Sequence, residues 1–256
     1  MSDFIKFADL ENASVFITGG GSGIGASLTE GFLQQGCKVS FVDKIDATNF
    51  VLEMGEKYSN PPLFIRCDIS DIPSLKEAID KASKANGTIS VLINNAADDS
   101  RHSLSDTNVH KWERSMHVNL RPHFFSTQAV APGMKKIGGG SIVNFSSVSY
   151  MLGLGGYPTY VTAKAAITGL TRALARELGQ DNIRVNALMP GWVLTKRQLD
   201  LWATKEDLEN QLKIQCIKRH LEPNDIVEPT LFLASKASKM MTGQALVIDG
   251  GVTVTG

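Results

Sequence analysis

The chain has 256 residues, with 26 Lys and Arg against 26 Asp and Glu, so its formal net charge is zero. This balance gives no charged surface that would attract nucleic acid or an anionic membrane. The three cysteines, Cys37, Cys67 and Cys216, lack metal or disulfide spacing and are typical of a reducing compartment. The N-terminus has no secretory signal, and no apolar run is long enough to span a bilayer. We therefore expect a cytoplasmic protein without nucleic-acid or membrane partners.

Short apolar runs alternate with longer helical patterns along the chain. The runs predict strands at 14–18, 38–43, 62–67, 89–95, 141–147, 183–190 and 245–249. The patterns between them predict helices at 23–35, 46–58, 71–86, 109–137, 158–179, 197–214 and 224–235. Continuous apolar strands are typical of a parallel sheet that is buried on both faces.

This alternation predicts an α/β fold: one single-domain, doubly wound Rossmann-type structure with a mainly parallel seven-stranded sheet and helices on both faces. The nucleotide-binding half would cover about 1–100, and the catalytic and substrate half about 101–256.

A glycine-rich stretch, VFITGGGSGIGASL, joins the first predicted strand to the first predicted helix. Gly19, Gly23 and Gly25 have the spacing G-x-x-x-G-x-G. Glycines at a helix N-terminus let backbone N–H groups approach a pyrophosphate. A flexible turn, with helix packing at Gly25, is the alternative interpretation. The strand before and the helix after the loop favour nucleotide binding.

Acidic residues follow the second and third predicted strands. Asp43 stands 18 residues after Gly25, where a carboxylate accepts hydrogen bonds from ribose hydroxyls. It also repels a 2′-phosphate, so we predict NAD rather than NADP, although Lys44 would offset part of that repulsion. Asp68 is either a second adenine-side contact or the cap of the helix at 71–86.

Later motifs continue the pattern in order. They are NNAA at 94–97, Asn119 in HVN, Ser147, Tyr160-x-x-x-Lys164 and PGWVLT at 190–195. Together with T-G-x-x-x-G-x-G at 18–25 they resemble the short-chain dehydrogenase/reductase family over nearly the whole chain. Ala97 stands where that family usually has glycine, which alters the turn after the fourth strand.

The resemblance implies four catalytic residues: Asn119, Ser147, Tyr160 and Lys164. Tyr160 and Lys164 are four apart on a helix that Pro158 can start, so they share one side. A nearby ammonium lowers the pKa of a phenol, which lets Tyr160 act as a general base. A packed tyrosine with a snorkelling lysine is the alternative, and the glycine loop argues against it. Tyr150 and Tyr157 lack the spacing to the lysine.

The resemblance also implies roles around the cofactor. Lys164 would hold the nicotinamide ribose, Asn119 a relay water, and Ser147 the reacting oxygen, while Thr195 and the backbone near Val193 would hold the carboxamide. The predicted cofactor contacts are Gly19, Ser22, Gly23, Ile24, Gly25, Asp43, Asp68, Ile69, Asn95, Ala96, Tyr160, Lys164, Pro190, Gly191, Val193 and Thr195.

Four stretches narrow the resemblance to NAD-dependent aldose 1-dehydrogenases, which oxidise sugars such as D-galactose, L-fucose, L-arabinose or D-xylose. They are NNAADDSRHSL, QAVAPGMKK, TRALARELG and PGWVLTKRQ. The polar loop 98–102, Asp98 and Asp99 included, would supply groups for sugar hydroxyls, and the segment 194–214 would close over the substrate. The predicted substrate contacts are Arg101, His102, Ser147, Ser149, Tyr160, Gly191 and Trp192.

Three alternatives stay open. The loop 98–102 is equally consistent with an ordinary solvated loop. Arg101 would also suit a carboxylate, so the substrate could be a sugar acid, a polyol or another secondary alcohol. A non-catalytic nucleotide-binding regulator would be a different class of protein, although the complete Asn-Ser-Tyr-Lys set argues against it.

Two further expectations concern metals and assembly. His110 and His117 have no further ligands at suitable spacing, so we predict no metal site. The resemblance implies a homotetramer built through the helices at 109–137 and 158–179.

Overall fold

A computed structural model describes residues 5–254. Its strands form one sheet in the order β3-β2-β1-β4-β5-β6-β7, and every neighbouring pair is parallel. The strands are β1 (Ser14–Thr18), β2 (Lys38–Asp43), β3 (Leu63–Arg66), β4 (Val91–Asn94), β5 (Gly140–Phe145), β6 (Ile183–Pro190) and β7 (Ala245–Ile248). The predicted doubly wound fold is confirmed, and the sheet is parallel throughout rather than mainly so.

Helices cover both faces of this sheet. They are α1 (Gly23–Gln34), α2 (Thr48–Lys57), α3 (Ile72–Asn86), α4 (Val109–Asn119), α5 (Arg121–Lys136), α6 (Pro158–Leu178), α7 (Lys196–Leu201), α8 (Lys205–Ile214) and α9 (Val227–Ala234). Side chains of α1, α2 and α9 belong to one core cluster, and those of α3, α5 and α6 to the other.

The strand sequences explain these two cores. All five residues of β1 are buried. Because side chains alternate along a strand, Val15 and Ile17 join the first cluster and Phe16 joins the second. A run that is apolar at consecutive positions is therefore what a sheet covered on both faces requires.

The predicted helix at 109–137 is wrong in one respect, because it is two helices. The backbone leaves helical geometry at Leu120, with φ −128° and ψ −54°. Pro122 explains the break: proline lacks the N–H that would continue α4, and it is tolerated in the first turn of α5.

The predicted helix at 197–214 is also two helices. Thr204 starts α8 with a capping box, in which its hydroxyl accepts from the Asp207 N–H and the Asp207 carboxylate accepts from the Thr204 N–H. The predicted helix at 224–235 begins as a 3₁₀ turn, Pro223–Ile226, before α9. None of the helices within residues 5–254 is long and apolar enough to cross a bilayer.

Candidate active site

A cleft of about 690 Å³ opens at the carboxyl edge of the sheet, where a parallel fold binds its ligands. Its floor comes from the ends of β4, β5 and β6 and from the first part of α6. Helices α7 and α8, called the roof helices below, cover it from the other side. Lining residues from these parts include Asn95, Ser147, Tyr160, Gly191, Gln198 and Gln211.

The glycine loop between β1 and α1, called the wall below, borders the cleft on one side through Ile24. Gly19 and Gly23 have positive φ values of 67° and 53°, which favour glycine. A Cβ on Gly25 would lie 1.7 Å from the Gly19 carbonyl oxygen, so this position requires glycine. Ser22 precedes α1 without capping it through its side chain, and Ile24 lines the cleft. The wall has the bare backbone and helix N-terminus that suit a pyrophosphate.

Asn95 joins this wall to the end of β4. Its Nδ2 donates to the carbonyls of Thr18 and Gly19, each at 3.0 Å. The backbone N–H groups of Asn95 and Ala96 both donate to the Thr18 hydroxyl, at 3.0 and 3.1 Å. The glycine loop is therefore held by the sheet itself.

Asp43, at the end of β2, accepts from two backbone N–H groups. Its Oδ2 accepts from Gly21 at 3.2 Å and its Oδ1 from Ile45 at 3.1 Å. The Lys44 ammonium lies 3.2 Å from the Asp68 carboxylate, so its positive charge is paired with that acid.

Asp68 is not the cap of α3. Asp71 takes that role, since its side chain accepts from the Ser74 N–H. Asp68 accepts from the Ser70 N–H and hydroxyl instead, and the neighbouring Ile69 is buried. Lys44 follows the end of β2 and Asp68 follows the end of β3, so their ion pair lies at the carboxyl edge of these two strands. The adenine contact is predicted at this edge.

Tyr160 and Lys164 face the cleft from the same side of α6. The Lys164 side chain is 2% exposed, its Nζ donates to the Phe145 carbonyl at 2.7 Å, and it lies 5.3 Å from the Tyr160 ring centroid. Burial lowers the pKa of Lys164 to about 7, opposed by the Asp99 carboxylate.

The pKa of Tyr160 differs from the expectation. Burial raises it, Asp99 and Tyr157 add to the rise, and Ser147 and Arg101 oppose it. The expected lowering by Lys164 is absent because the ammonium binds the Phe145 carbonyl and faces the ring rather than the phenol oxygen.

Ser147 and Asn119 lie in different places. Ser147 lines the cleft, and its hydroxyl accepts from the Ser149 N–H at 3.1 Å. Asn119 is fully buried at the end of α4, outside the cleft lining. Its side chain accepts from the Asp98 N–H at 2.8 Å and donates to the Asp98 carbonyl at 3.0 Å.

Arg101 lies between two aromatic rings at the substrate side. Its guanidinium carbon is 3.8 Å from the Tyr157 ring centroid and 5.4 Å from that of Trp202. Tyr157 in turn stacks on Tyr160, with centroids 5.2 Å apart. Tyr157 is therefore a packing partner of Tyr160, and Tyr150 contacts the Met189 sulfur at 3.8 Å.

His102 does not line this cleft. It lines a smaller neighbouring depression, and its Nε2 lies 3.1 Å from the Thr159 hydroxyl. Ser149 does line the cleft, is 3% exposed, and its hydroxyl has no hydrogen-bond partner within the described part of the chain.

The segment after β6 completes the cleft. Pro190, Gly191, Trp192, Val193 and Thr195 all line it. A Cβ on Gly191 would lie 2.7 Å from that of Asp249, so the turn needs glycine. The Thr195 hydroxyl accepts from the Gln198 N–H and caps α7, rather than pointing freely into the cleft. Among residues 5–254, no cluster of His, Cys, Asp and Glu is suited to a metal ion.

Comparisons with known proteins agree with this architecture. A family model described as enoyl-(acyl carrier protein) reductase matches residues 19–253. A solved double mutant of the Serratia marcescens short-chain dehydrogenase/reductase superposes with a TM-score of 0.88 at 27% identity, covering 96% of this chain and 97% of its own. The chain belongs to the short-chain dehydrogenase/reductase family.

Two curated relatives of this dehydrogenase/reductase chain are nearer in sequence. One, from Rhizobium meliloti, is named "Probable galactose dehydrogenase" and is 47% identical, over 96% of this chain and 97% of its own length. The other, from Caulobacter vibrioides, is a D-xylose 1-dehydrogenase that is 46% identical, over 96% and 97%.

Sequence reasoning missed several residues of the dehydrogenase/reductase cleft. Gln198, Trp202, Asn210 and Gln211 of the roof segment line it, as does Phe145, whose carbonyl accepts from Lys164. None of the five was named individually, although Gln198 ends the stretch PGWVLTKRQ and the four roof residues lie in the segment 194–214 that was predicted to close over the substrate. The signal that could have found Gln198 is its place three residues after Thr195, in the first turn of a capped helix.

Proposed function

We propose that this protein oxidises the C1 hydroxyl of an aldose with NAD, giving an aldonolactone and NADH. The observation that carries the proposal is the Tyr160–Lys164 pair on α6, which lies with Ser147 in a cleft that the glycine loop borders through Ile24. The two curated relatives named for sugar oxidation support the choice of substrate class.

The chain's own residues divide the work. The Tyr160 phenolate removes the proton from the C1 hydroxyl, and the Ser147 hydroxyl hydrogen-bonds the same oxygen. Lys164, held by the Phe145 carbonyl one helical turn from Tyr160, would hold the nicotinamide ribose, as the family resemblance implies. NAD, when bound, supplies the hydride acceptor and a positive charge at its nicotinamide. Asn119, bound to Asp98, stands in the second layer of the site, consistent with the relay role that the family resemblance implies.

The proposed preference for NAD over NADP rests on charge at the end of β2. Asp43 presents a carboxylate beside the glycine loop, where it favours a free ribose diol and repels a phosphate. Lys44 was the group that could weaken this preference, and its ammonium is paired with Asp68.

Polar groups at the outer part of the cleft support a polyhydroxylated substrate. The buried Ser149 hydroxyl has no partner among the described residues, and a buried polar group is costly unless it finds one. Arg101, Asn210 and Gln211 add donors and acceptors, and Trp192 adds an apolar wall. Pockets of this composition fix a sugar by a few hydroxyl contacts and one ring face.

The first experiment measures NADH absorbance with purified protein and NAD. The panel is D-galactose, L-fucose, L-arabinose, D-xylose, D-glucose, galactitol and a sugar acid, and the best substrate is repeated with NADP. We expect turnover on one configurational set of aldoses and a lower rate with NADP. Activity on only the polyol or the acid would overturn the proposed substrate, and binding of NADH without any turnover would favour a regulator.

We also propose a homotetramer built through α4, α5 and α6 in the cytoplasm. Trp112 on α4 and Phe124 on α5 are 44% and 43% exposed, so each offers an apolar side chain for such an interface. Light scattering at several protein concentrations would show a mass of four chains.

A further inference from the structure

The loop after β4 is tied to the roof helix α7 by the Asp99 carboxylate. Its Oδ2 accepts from Gln198 Nε2 at 2.7 Å, and its Oδ1 accepts from Arg197 Nε at 3.4 Å. The Asp99 side chain is only 19% exposed. Both of its oxygens are bonded to α7, so the structure gives Asp99 a link to the roof that the sequence did not indicate, and its contact with sugar hydroxyls stays a prediction.

Gln198 extends this link to the segment after β6. Its Oε1 accepts from the Trp192 indole N–H at 3.0 Å. The chain Trp192–Gln198–Asp99 therefore connects three segments that surround the cleft, and all three of its residues line it. We call these three residues the latch.

A second contact runs beside the latch. The Arg101 guanidinium lies against Trp202, just past the end of α7. The Asp99 carboxylate makes charge-assisted hydrogen bonds to α7, the shorter at 2.7 Å, whereas the guanidinium lies 5.4 Å from the Trp202 ring centroid, so the carboxylate is the stronger of the two contacts to the roof.

Asp99 also acts on the reacting pair through its charge. Burial is the largest cause of the raised pKa of Tyr160, and the Asp99 charge raises it further. Burial lowers the pKa of Lys164, and the Asp99 charge opposes that lowering. Other titratable or charged groups also face this region from the elements packed around it. They are Arg101 and Asp98 of the loop, Tyr157 just before α6, Arg197 of α7, Asp207 of α8 and, behind Lys164, His123 of α5.

We propose that Asp99 is a positioning residue that holds α7 closed over the sugar and supplies a fixed negative charge beside the Tyr160–Lys164 pair. Its kinetic consequences rest on the proposed function. Closure by α7 raises the fraction of binding-competent protein, and that fraction scales the apparent affinity for the sugar. The charge adds to the effect of burial and shifts the pH range over which the phenolate is present.

The negative charge of Asp99 determines the direction in which the pKa values of Tyr160 and Lys164 change when that charge is removed. A negative neighbour disfavours the Tyr160 phenolate and favours the Lys164 ammonium, so removing it lowers both pKa values. Sugar oxidation requires the phenolate, and its rate rises with pH as the phenolate forms. The rising limb of kcat/KM should therefore move to lower pH when the charge is removed.

Three variants separate the charge from the link. Asp99→Asn keeps an amide oxygen for Gln198 but removes the charge, so the pH profile moves down with little change in KM. Gln198→Ala removes the shorter of the two bonds from α7 to Asp99 and keeps the charge, while the Arg197 bond remains. KM for the sugar should therefore rise by up to roughly tenfold without a move of the profile to lower pH. Asp99→Ala should show both effects.

Asp106→Asn is the matched control. It is the same substitution in the same connection, but the Asp106 carboxylate is bonded to Ser103 and does not line the cleft. It should leave both KM and the pH profile unchanged.

A readout without sugar keeps the latch testable if no aldose is oxidised. Hydrogen exchange of the amides at 196–202 should be faster in Gln198→Ala and Asp99→Ala than in the parent, while NADH fluorescence titration reports that the cofactor site is intact. Faster exchange in a protein that oxidises no aldose would support the latch and sink only the proposed substrate.

The proposal is overturned by either of two results. One is unchanged exchange at α7 in both variants that break the link. The other is an Asp99→Asn pH profile that coincides with that of the parent, because the charge would then not act on the reacting pair.

Discussion

The glycine loop and the roof helices both border the cleft, and different kinds of contact hold them. The loop is positioned by backbone approach, since a single methyl group on Gly25 would meet the Gly19 carbonyl at 1.7 Å. The roof is positioned by side chains, such as Gln198 on Asp99 and Trp202 on Arg101. The roof segment has no buried residues in α7 or α8, whereas α1 has several.

This difference teaches which side of the cleft can vary. Where the backbone approaches as closely as at Gly25, only glycine fits. A contact between two side chains, such as Gln198 and Asp99, can be replaced by another pair of side chains of similar length. The cofactor side should therefore respond to mutation through folding and cofactor binding. The substrate side should respond through KM and local opening.

The largest expected effect lies on the floor that both sides share. Tyr160→Phe removes the phenol that takes the substrate proton, so kcat should fall by roughly a thousandfold. NADH fluorescence titration should still show binding, because the stacked ring of Tyr160 is retained. Tyr157→Phe is the control, since Tyr157 stacks on Tyr160 without standing one turn from Lys164. An equal loss in both variants would contradict the assignment of the base.

The next largest effect is expected from a substitution in the glycine loop, on the cofactor side of the cleft. Gly25→Ala forces the loop and α1 apart, which should cost about 1–3 kcal/mol of unfolding free energy and abolish NADH binding. Urea unfolding and fluorescence titration measure the two effects. Gly55→Ala is the matched control, because Gly55 lies in α2, outside the proposed interface, and its Cβ would make only an ordinary contact of 3.7 Å with Pro61. That change should stabilise the protein by about 0.4–1 kcal/mol. A Gly25→Ala protein that binds NADH normally would refute the idea of a backbone-determined wall.

The pH dependence of stability tests the burial of Lys164 in the floor of the cleft. Its pKa is lowered to about 7 in the folded chain, from an ordinary value of 10.5. Between these values the unfolded chain binds more protons, so burial of Lys164 makes stability rise with pH across this window. Lys164→Met removes that dependence. The variant should exceed the parent in unfolding free energy below about pH 7, and the difference should shrink toward pH 10.5.

Denaturant unfolding at several pH values, without cofactor, measures this difference. A gap between the two proteins that stays constant with pH would show that Lys164 is protonated normally in the folded state.

The smallest effect is expected from removing a helix N-cap. The two caps to compare are that of α3, in the core, and that of α8, in the roof. Asp71→Ala removes the cap of α3, a core helix, and should lower the global unfolding free energy by about 1 kcal/mol. Thr204→Ala removes the cap of α8 and should leave global unfolding nearly unchanged while raising KM a few-fold. Thr204→Ser should restore KM. A global loss from Thr204→Ala as large as that from Asp71→Ala would show that the roof unfolds together with the core.

The same division explains what could be predicted from the sequence. The glycine spacing, the acid at the end of β2 and the Tyr160–Lys164 spacing are local, and each depends on backbone geometry or on one helical turn. The fold followed from strand runs whose side chains pack on both faces. The helix breaks at Leu120 and near Thr204 were missed, because the apolar pattern continues across them.

The roof contacts could not be predicted in the same way. Asp99 and Gln198 are 99 positions apart, and nothing in either local pattern indicates the other. His102 looked like part of the substrate loop, but its Nε2 lies 3.1 Å from the Thr159 hydroxyl, outside the cleft. The pKa of Tyr160 also depends on burial and on the direction of the Lys164 ammonium, which spacing alone does not give.

The positions of Trp192 and Trp202 give the protein a native optical signal. Two of its three tryptophans line the cleft, one bonded to Gln198 and the other close to a guanidinium. The third, Trp112, is on α4 and adds a background that Trp112→Phe would remove. Stopped-flow emission could then time the movement of α7 in unlabelled protein, and so separate the rate of closure from the rate of hydride transfer.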